Sequence, residues 1–488
     1  MGLIEGLRWN VLFETPSGRK KCNSKGGEVL ITESRQHNRS SQNKLHSEPQ
    51  ISEWSFGLIA QLTHHHLMNK IIIIPIITIV FLLIDWYVWQ AVKVSTQNLS
   101  QNAQNITKYI FWGVTAFTLT GMWVYNFTNP DLLGKNLRTI IMVGVFINYI
   151  SKIFVVLFLL IDDLLRLLQW ITSKFTGHTV TSNAPIGGSG NITRSDFLMK
   201  TAVIAGAIPA LALTWGIISG AHDYRIRRVK LALKNLPKQF EGMTIAQISD
   251  IHTGSFFNRV AVKGGVEMLM KEKPDMVFFT GDLVNNLATE VNEYVDIFNK
   301  IKAPLGVFST LGNHDYSDYV NWEGNMKGKQ QNLKDVIHAH KVLGYDLLMD
   351  ENRFIEQGGE KLAIIGVQNI SGQNRFRSYG NLNKAYQGTE EAPVKLLLSH
   401  DPTHWDREVN TKYKDIDVMF SGHTHGTQFG INVGNKTWSP AQYAYKQWGG
   451  LYEEGDQKLY INRGYGYIGY PGRVGMPPEI TVFELTRG

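Results

Sequence analysis

Four apolar stretches in the N-terminal part of the chain constrain its fold more than any other feature. They cover residues 71–92, about 106–127, about 139–161 and about 197–220. Each is about twenty residues long, enough for a helix to cross a hydrocarbon core of roughly 30 Å. A soluble helical bundle would require a polar face on each helix, and these stretches lack one. We therefore predict a multi-pass cell-membrane protein with a membrane region at 68–220 and membrane lipids as partners.

The segment before these stretches, residues 1–67, is polar and aperiodic. We interpret it as disordered or as a spurious N-terminal extension. Its triplet His64, His65 and His66 carries no predicted metal site, because nothing nearby completes one. Residues 183–191 read as a flexible linker. Within the first apolar stretch, Asp85 could mark a transport or relay role, but its place near a tryptophan-rich end favours an interfacial position.

The side of the membrane that holds the C-terminal part is open. Cations follow the fourth stretch, which favours the cytoplasm by the positive-inside rule: Arg225, Arg227, Arg228, Lys230, Lys234 and Lys238. However, 225–233 could be a strand instead, and Arg194 stands in a segment resembling a degraded twin-arginine export signal. We lean slightly to the cytoplasm. Membrane flanks also account for the net charge of +7, and no basic stripe with interleaved aromatics predicts a nucleic-acid partner.

From residue 221 to 488 the pattern changes to alternating strands and helices, which is typical of a layered α/β domain. Apolar runs predict strands at 243–249, 276–280, 306–310, 362–367, 394–399 and 418–420. Helical periodicity predicts helices at 259–271 and 290–301.

Polar motifs follow five of these strands, at the strand ends where open α/β sheets bind ligands. They supply carboxylate, imidazole and amide groups, namely Asp250, His252, Asp282, Asn313, His400, His423 and His425. The single cysteine, Cys22, excludes a thiolate cluster. Such ligands suit Mn, Fe or Zn, and one shared carboxylate would let the site hold two divalent metal ions.

Together, the motifs Asp250-Ile251-His252, Gly281-Asp282, Gly312-Asn313-His314-Asp315, His400 and Gly422-His423-Thr424-His425 resemble those of the calcineurin-like metallophosphoesterases. The resemblance implies a two-sheet sandwich flanked by helices, here preceded by four transmembrane helices. It implies one metal held by Asp250, His252, Asp282 and His425, and another held by Asp282, Asn313, His400 and His423. The implied reaction is hydrolysis of a phosphodiester, phosphomonoester or pyrophosphate bond by metal-activated water.

Two neighbours of the ligand Asn313 are candidate catalytic residues. His314 could donate a proton to the leaving oxygen. Asp315 could orient the His314 imidazole or could cap a turn, and the sequence leaves both roles open.

The C-terminal segments 462–466, 471–473 and 477–481 resemble the tail of a bacterial membrane-anchored branch, similar to phosphodiesterases and UDP-2,3-diacylglucosamine hydrolases. This resemblance implies a phosphoester substrate that includes a lipid-linked nucleotide. Arg463 or Arg473 could clamp a substrate phosphate, or both could be surface loop residues.

Two other classes of function remain as alternatives. One is a non-catalytic metal-binding scaffold, which would have been signalled by loss of Asp282, Asn313 or His314. The other is a regulator of a membrane function such as transport or sensing.

Overall fold

The computed structural model describes residues 52–128, 130–176, 194–434 and 436–488. Residues 1–51, the linker at 183–191 and the side chains of His64, His65 and His66 lie outside the described part, so the predictions made for them stay predictions.

In the described part of the chain, four α-helices precede the first strand: α1 Ser52–Thr96, α2 Gln101–Phe127, α3 Pro130–Thr176 and α4 Arg194–Ile218. Among the same residues, three segments are long and apolar enough to cross a membrane: Lys70–Thr96, Leu132–Phe175 and Phe197–His222. The second helix is comparably long but less apolar. Because α1 begins at Ser52, it includes part of the segment 1–67, for which disorder or a spurious extension stays a prediction. The third helix also runs past the predicted end at 161, because leucines continue through Leu164 and Leu168.

Charged residues pair inside the helical region. Asp85 is fully buried and forms an ion pair with Lys152 of α3, and the Tyr149 hydroxyl donates to Asp85 at 3.1 Å. Asp85 is therefore paired with a counter-charge from α3, and its predicted interfacial position stays a prediction. The predicted pairing of Asp162 with Arg166 is confirmed at 2.9 Å.

Two six-stranded sheets form the rest of the fold. The first has the order β1-β14-β2-β3-β4-β5, with bounds β1 Arg225–Leu233, β2 Thr244–Ile248, β3 Met276–Phe279, β4 Val307–Ser309, β5 Asp346–Leu347 and β14 Glu479–Arg487. The second has the order β12-β13-β9-β8-β7-β6, with bounds β6 Glu351–Gln357, β7 Glu360–Gly366, β8 Lys395–Leu398, β9 Val418–Ser421, β12 Gly450–Glu454 and β13 Gln457–Ile461. A separate hairpin pairs β10 Ile431–Val433 with β11 Lys436–Trp438.

The two sheets pack face to face through a fully buried core that includes Phe278 and Phe483 of the first sheet and Leu396 and Phe420 of the second. Helices flank both outer faces: α5 Arg259–Lys271, α6 Val295–Phe298, α7 Met326–Leu343, α8 Leu382–Tyr386 and α9 Asn410–Lys412. This is the predicted sandwich, and β1 resolves the open choice at 225–233 in favour of a strand.

The predicted helix at 290–301 is mostly wrong, since only α6 is helical there apart from a short turn at Ala288–Val291. The Glu290 carboxylate accepts from the backbone N–H groups of Asn285 at 2.6 Å and Asn286 at 3.1 Å. These bonds hold the turn that precedes α6.

Candidate metal centre

All seven predicted ligands lie at the C-terminal ends of adjacent strands from both sheets. They are Asp250 and His252 after β2, Asp282 after β3, Asn313 after β4, His400 after β8, and His423 and His425 after β9. All seven are buried or nearly so. The sandwich therefore brings two loop sets, far apart in the chain, to one edge.

Most of these ligands have strained backbones. Five occupy the left-handed region, with φ between 52° and 73°: Asp250, His252, Asp282, His423 and His425. Non-glycine residues adopt such angles at a cost of about 1–3 kcal/mol each, and they cluster at functional sites.

Two glycines permit the close packing of this edge. A Cβ on Gly312 would lie 2.2 Å from Asp282 Oδ1, and one on Gly422 would lie 2.2 Å from Asp250 Oδ2. Any side chain at these positions would displace a ligand carboxylate.

The ligands form two groups, Asp250 with His252 and His425, and Asp282 with His400 and His423. In the first group, His252 Nε2 lies 3.1 Å from His425 Nε2, and His425 Nε2 lies 3.3 Å from Asp250 Oδ1.

In the second group, His400 Nε2 lies 3.2 Å from His423 Nδ1. Asp282 joins the groups, because its Oδ2 is 3.2 Å from His400 Nε2 and 3.5 Å from His252 Nε2.

These spacings fit divalent cations. Ligands bound at about 2.1 Å lie roughly 3.0–3.4 Å apart in octahedral or tetrahedral geometry. Asn313 could supply a further donor: its Nδ2 donates to the Tyr319 hydroxyl at 2.7 Å, while its buried Oδ1 has no hydrogen-bond partner among the described residues. An orphaned amide oxygen beside carboxylates and imidazoles fits a hard or borderline cation.

The protonation states also fit metal binding. Burial lowers the pKa of His252 to about 3 and that of His423 to about 4, so both rings are neutral. For His400, burial acts in the same direction but the Asp282 carboxylate outweighs it and raises the pKa to about 10. A cation held by His400 would replace this proton, so metal binding would release protons.

Other groups orient the ligand rings through the nitrogen that faces away from the partner ligands. His400 Nδ1 donates to the Thr280 carbonyl at 2.8 Å, and His423 Nε2 lies 3.0 Å from the Tyr445 hydroxyl. Such contacts fix ring orientation and tautomer at metal sites.

His314 lies beside both groups. Its Nδ1 donates to the Asn285 carbonyl at 2.8 Å, and its ring centroid is 5.0 Å from that of His252. The carbonyl of Asn285, rather than Asp315, orients this imidazole.

Asp315 organises the backbone. Its carboxylate accepts from the N–H groups of Gly312 at 2.9 Å, Asp282 at 3.0 Å and Leu283 at 2.9 Å. Burial, together with the charge of Asp282, raises its pKa to about 7. Of the two roles open for Asp315, capping a turn matches these contacts.

Arg473 and Arg463 are both buried, so the alternative that they are surface residues is wrong. The Arg473 guanidinium donates to the carbonyls of Gly466 at 2.9 Å and Met476 at 3.2 Å, and lies 3.3 Å from His425 Nδ1. Arg473 therefore contacts the His425 nitrogen that faces away from the other predicted ligands, and its other N–H groups donate to backbone carbonyls. Arg463 stacks on Trp448 at 5.5 Å.

Sequence reasoning missed the residues around the mouth of the site. A cavity of about 400 Å³ opens beside Asn313 and is lined by Tyr319, Lys329, Arg375 and Arg377. Lys329 and Arg377 both pair with Asp318. Arg375 donates instead to the Tyr445 hydroxyl at 2.8 Å, so two hydrogen bonds connect it with His423. In the sequence, the feature that could have indicated this cavity mouth is the pair Arg375 and Arg377, which follows the predicted strand 362–367.

Two family models match the chain. One describes a probable calcineurin-like phosphoesterase transmembrane domain and covers residues 68–221. The other describes a calcineurin-like phosphoesterase and covers residues 243–427, which includes every predicted metal ligand. The transmembrane match agrees with the helices α1 to α4 and supports a membrane location.

Similar proteins carry related descriptions. A Danio rerio "transmembrane protein with metallophosphoesterase domain" is 26% identical over 296 residues, covering 59% of this chain and 63% of that protein, less than two thirds of its length. An uncharacterized metallophosphoesterase of Bacillus subtilis is 28% identical over 292 residues, covering 57% and 94%. A "UDP-2,3-diacylglucosamine pyrophosphatase LpxG" of Chlamydia muridarum is 27% identical over 329 residues, covering 59% and 98%.

The ligand groups, the sandwich and both family models agree. The chain contains a calcineurin-like phosphoesterase domain at residues 243–427, joined to a region at 68–221 that matches the transmembrane domain of such phosphoesterases.

Proposed function

We propose that the protein is a membrane-anchored phosphoesterase with two divalent metal ions that hydrolyses a phosphodiester, phosphomonoester or pyrophosphate bond of a lipid-linked substrate. The observation that carries the proposal is the position of Asp282, whose Oδ2 approaches His252 and His400 and so reaches both ligand groups. A single cation would leave one of these groups without its metal.

Asp250, His252, Asp282 and His425 would hold one ion, and Asp282, Asn313, His400 and His423 the other. When bound, Mn, Fe or Zn ions supply Lewis acidity and an activated water.

The protein's own groups account for the remaining steps. The Asn285 carbonyl holds the His314 proton at Nδ1, which leaves Nε2 able to pass a proton to the leaving oxygen when the ring is protonated. Arg375 presents a guanidinium at the cavity mouth without a carboxylate partner among the described residues. A planar guanidinium there suits a second anionic group of the substrate.

The lipid-linked substrate is supported by the membrane helices and by the relative described as a UDP-2,3-diacylglucosamine pyrophosphatase. Because β1 begins directly after α4, such a substrate would meet the hydrolase domain at the membrane surface.

The location of that domain stays open between the two sides. Four of the cations that favoured the cytoplasm belong to β1 and pair with acids, namely Arg225, Arg227, Arg228 and Lys230. Because acids neutralise them, these four cations support a cytoplasmic location less strongly than unpaired cations would. We retain only a slight preference for the cytoplasm.

The test is hydrolysis by the full chain in lipid nanodiscs with added Mn²⁺. A chromogenic phosphodiester, a chromogenic phosphomonoester and UDP-2,3-diacylglucosamine are assayed in parallel. Asn313→Ala removes a predicted ligand, and Asn381→Ala, which removes a helix-capping amide at α8, is the matched control. Metal-dependent turnover that only Asn313→Ala loses supports the proposal. Bound metal without turnover of any substrate favours the scaffold alternative.

A further inference from the structure

We propose that the hairpin of β10 and β11 contacts the lipid bilayer and holds the metal centre at the membrane surface. The hairpin has one exposed apolar face, formed by Ile431 (59% exposed), Val433 (72%) and Trp438 (43%). Ile431 pairs directly with Trp438, which places both on the same side. Asn432 and Thr437, joined by a 2.7 Å hydrogen bond, occupy the opposite face.

The hairpin is tied to the end of a membrane helix. Asn432 Nδ2 donates to the Gly475 carbonyl at 2.8 Å. The adjacent Val474 packs so closely on Gly216 of α4 that a Cβ on that glycine would approach it to 2.7 Å. Gly216 lies near the C-terminal end of the apolar segment Phe197–His222. The hairpin therefore lies close to the level at which α4 leaves the hydrocarbon core.

A bilayer is the partner that fits this face. Tyr443 is 79% exposed and its ring lies 6.5 Å from that of Trp438, and Trp and Tyr are enriched where proteins cross the membrane–water interface. On α4, Trp215 and Ile218 are also largely exposed, and Trp215 lines one cavity together with Asn432 of the hairpin. Exposed apolar clusters of this kind mark interaction sites.

The segments on both sides of the hairpin lead to the candidate metal centre. The ligand His425 lies six residues before Ile431, and the segment after β11 reaches Tyr445, whose hydroxyl contacts the ligand His423 at 3.0 Å. Lipid contact would therefore fix the height of the site above the bilayer. This consequence rests on the proposed function, whereas the lipid contact itself does not.

Site-directed quenching tests the contact in the full chain. Cys22→Ser removes the native thiol, and Val433→Cys carries an NBD fluorophore in phosphatidylcholine–phosphatidylglycerol vesicles. The matched control is Asp456→Cys, at the tip of the β12–β13 hairpin. Asp456 lies 3.4 Å from Lys234, just past the end of β1. Because β1 leads away from α4 for nine residues, that tip lies roughly 30 Å along the strand from the membrane end.

We expect nitroxide-labelled lipids to quench the probe at 433 at least about threefold more than at 456, and aqueous iodide to show the reverse order. A probe at 433 that lipid nitroxides do not quench overturns the proposal. If iodide quenches this unquenched probe, the hairpin faces water. If iodide does not quench it either, a protein partner or a second copy of the chain covers the hairpin. Both results overturn the proposal.

Activity provides a second measurement. The double variant Ile431→Asp with Val433→Asp should lower turnover of a vesicle-borne lipid substrate roughly fivefold and leave a soluble chromogenic phosphodiester unaffected. Equal turnover of the lipid substrate by the variant and the parent contradicts the proposal. If the parent turns over neither substrate, the proposed function fails, and the quenching result still decides the lipid contact.

Discussion

Removal of one member of the buried ion pair between Asp85 and Lys152 should destabilise the membrane region strongly. Asp85 is fully buried, and Lys152 is nearly so. Asp85→Asn leaves an uncompensated ammonium among the helices, which costs about 3–5 kcal/mol in a protein interior. The Lys152 ammonium keeps its contact with the Phe111 ring, 4.6 Å away, which retains about 1 kcal/mol. We therefore expect Asp85→Asn to lower the free energy of unfolding by about 3 kcal/mol, which lowers the folding equilibrium constant more than a hundredfold.

The assay is a double-mutant cycle, measured by reversible unfolding of the full chain from mixed micelles with increasing SDS. Asp85→Asn and Lys152→Met should each cost about 3 kcal/mol, whereas the double variant should lie within about 1 kcal/mol of the parent, because it buries no charge. Lys174→Met, at an exposed lysine in the last turn of α3, is the control and should have little effect. Single variants that cost under about 1 kcal/mol and add independently would refute the reasoning, because they would mean that water reaches the pair.

Three further predictions concern the hydrolase domain. His314→Ala should lower kcat about 10²–10⁴-fold without loss of bound metal, since it removes a proton donor and not a ligand; metal analysis and His338→Ala, at an exposed histidine of α7, are the controls. Arg375→Ala should raise KM about tenfold for a substrate with two anionic groups and should raise it less for a monoester. The control Lys334→Ala, which removes an exposed charge of α7, should leave KM unchanged for both substrates. Burial raises the pKa of Asp417 to about 6, so its contribution to stability is present below its unfolded pKa and is lost as pH rises through 6. Asp417→Asn should remove this part of the pH dependence of the free energy of unfolding, and a slope equal to that of the parent would contradict the assignment.

The clustering of the predicted metal ligands could be predicted from the sequence because each follows a strand directly. A ligand such as Asp250 or His400 follows directly from a short apolar strand, and strand ends meet at one edge of a sheet. Local helical periodicity likewise predicted a helix at 259–271, and α5 has these bounds, Arg259–Lys271.

Contacts between distant segments could not be predicted in this way. Asp85 is separated from Lys152 by an intervening helix, so its sequence neighbours do not reveal its partner. The approach of Arg375 and Tyr445 to His423 depends on loops from different parts of the second sheet. At 290–301, helical periodicity predicts one helix where the structure has a short turn at Ala288–Val291 and the four-residue α6.

A two-ion centre joined by Asp282 is tested most directly by the metal content of the purified full chain. After loading with Mn²⁺ and removal of free ions, mass spectrometry of the digested protein should give two ions per parent chain. Asp282→Ala should retain at most one, because the shared carboxylate is lost, whereas Asp335→Ala, at an exposed position of α7, should retain both. One ion or none in the parent, or two ions retained without Asp282, would contradict the account.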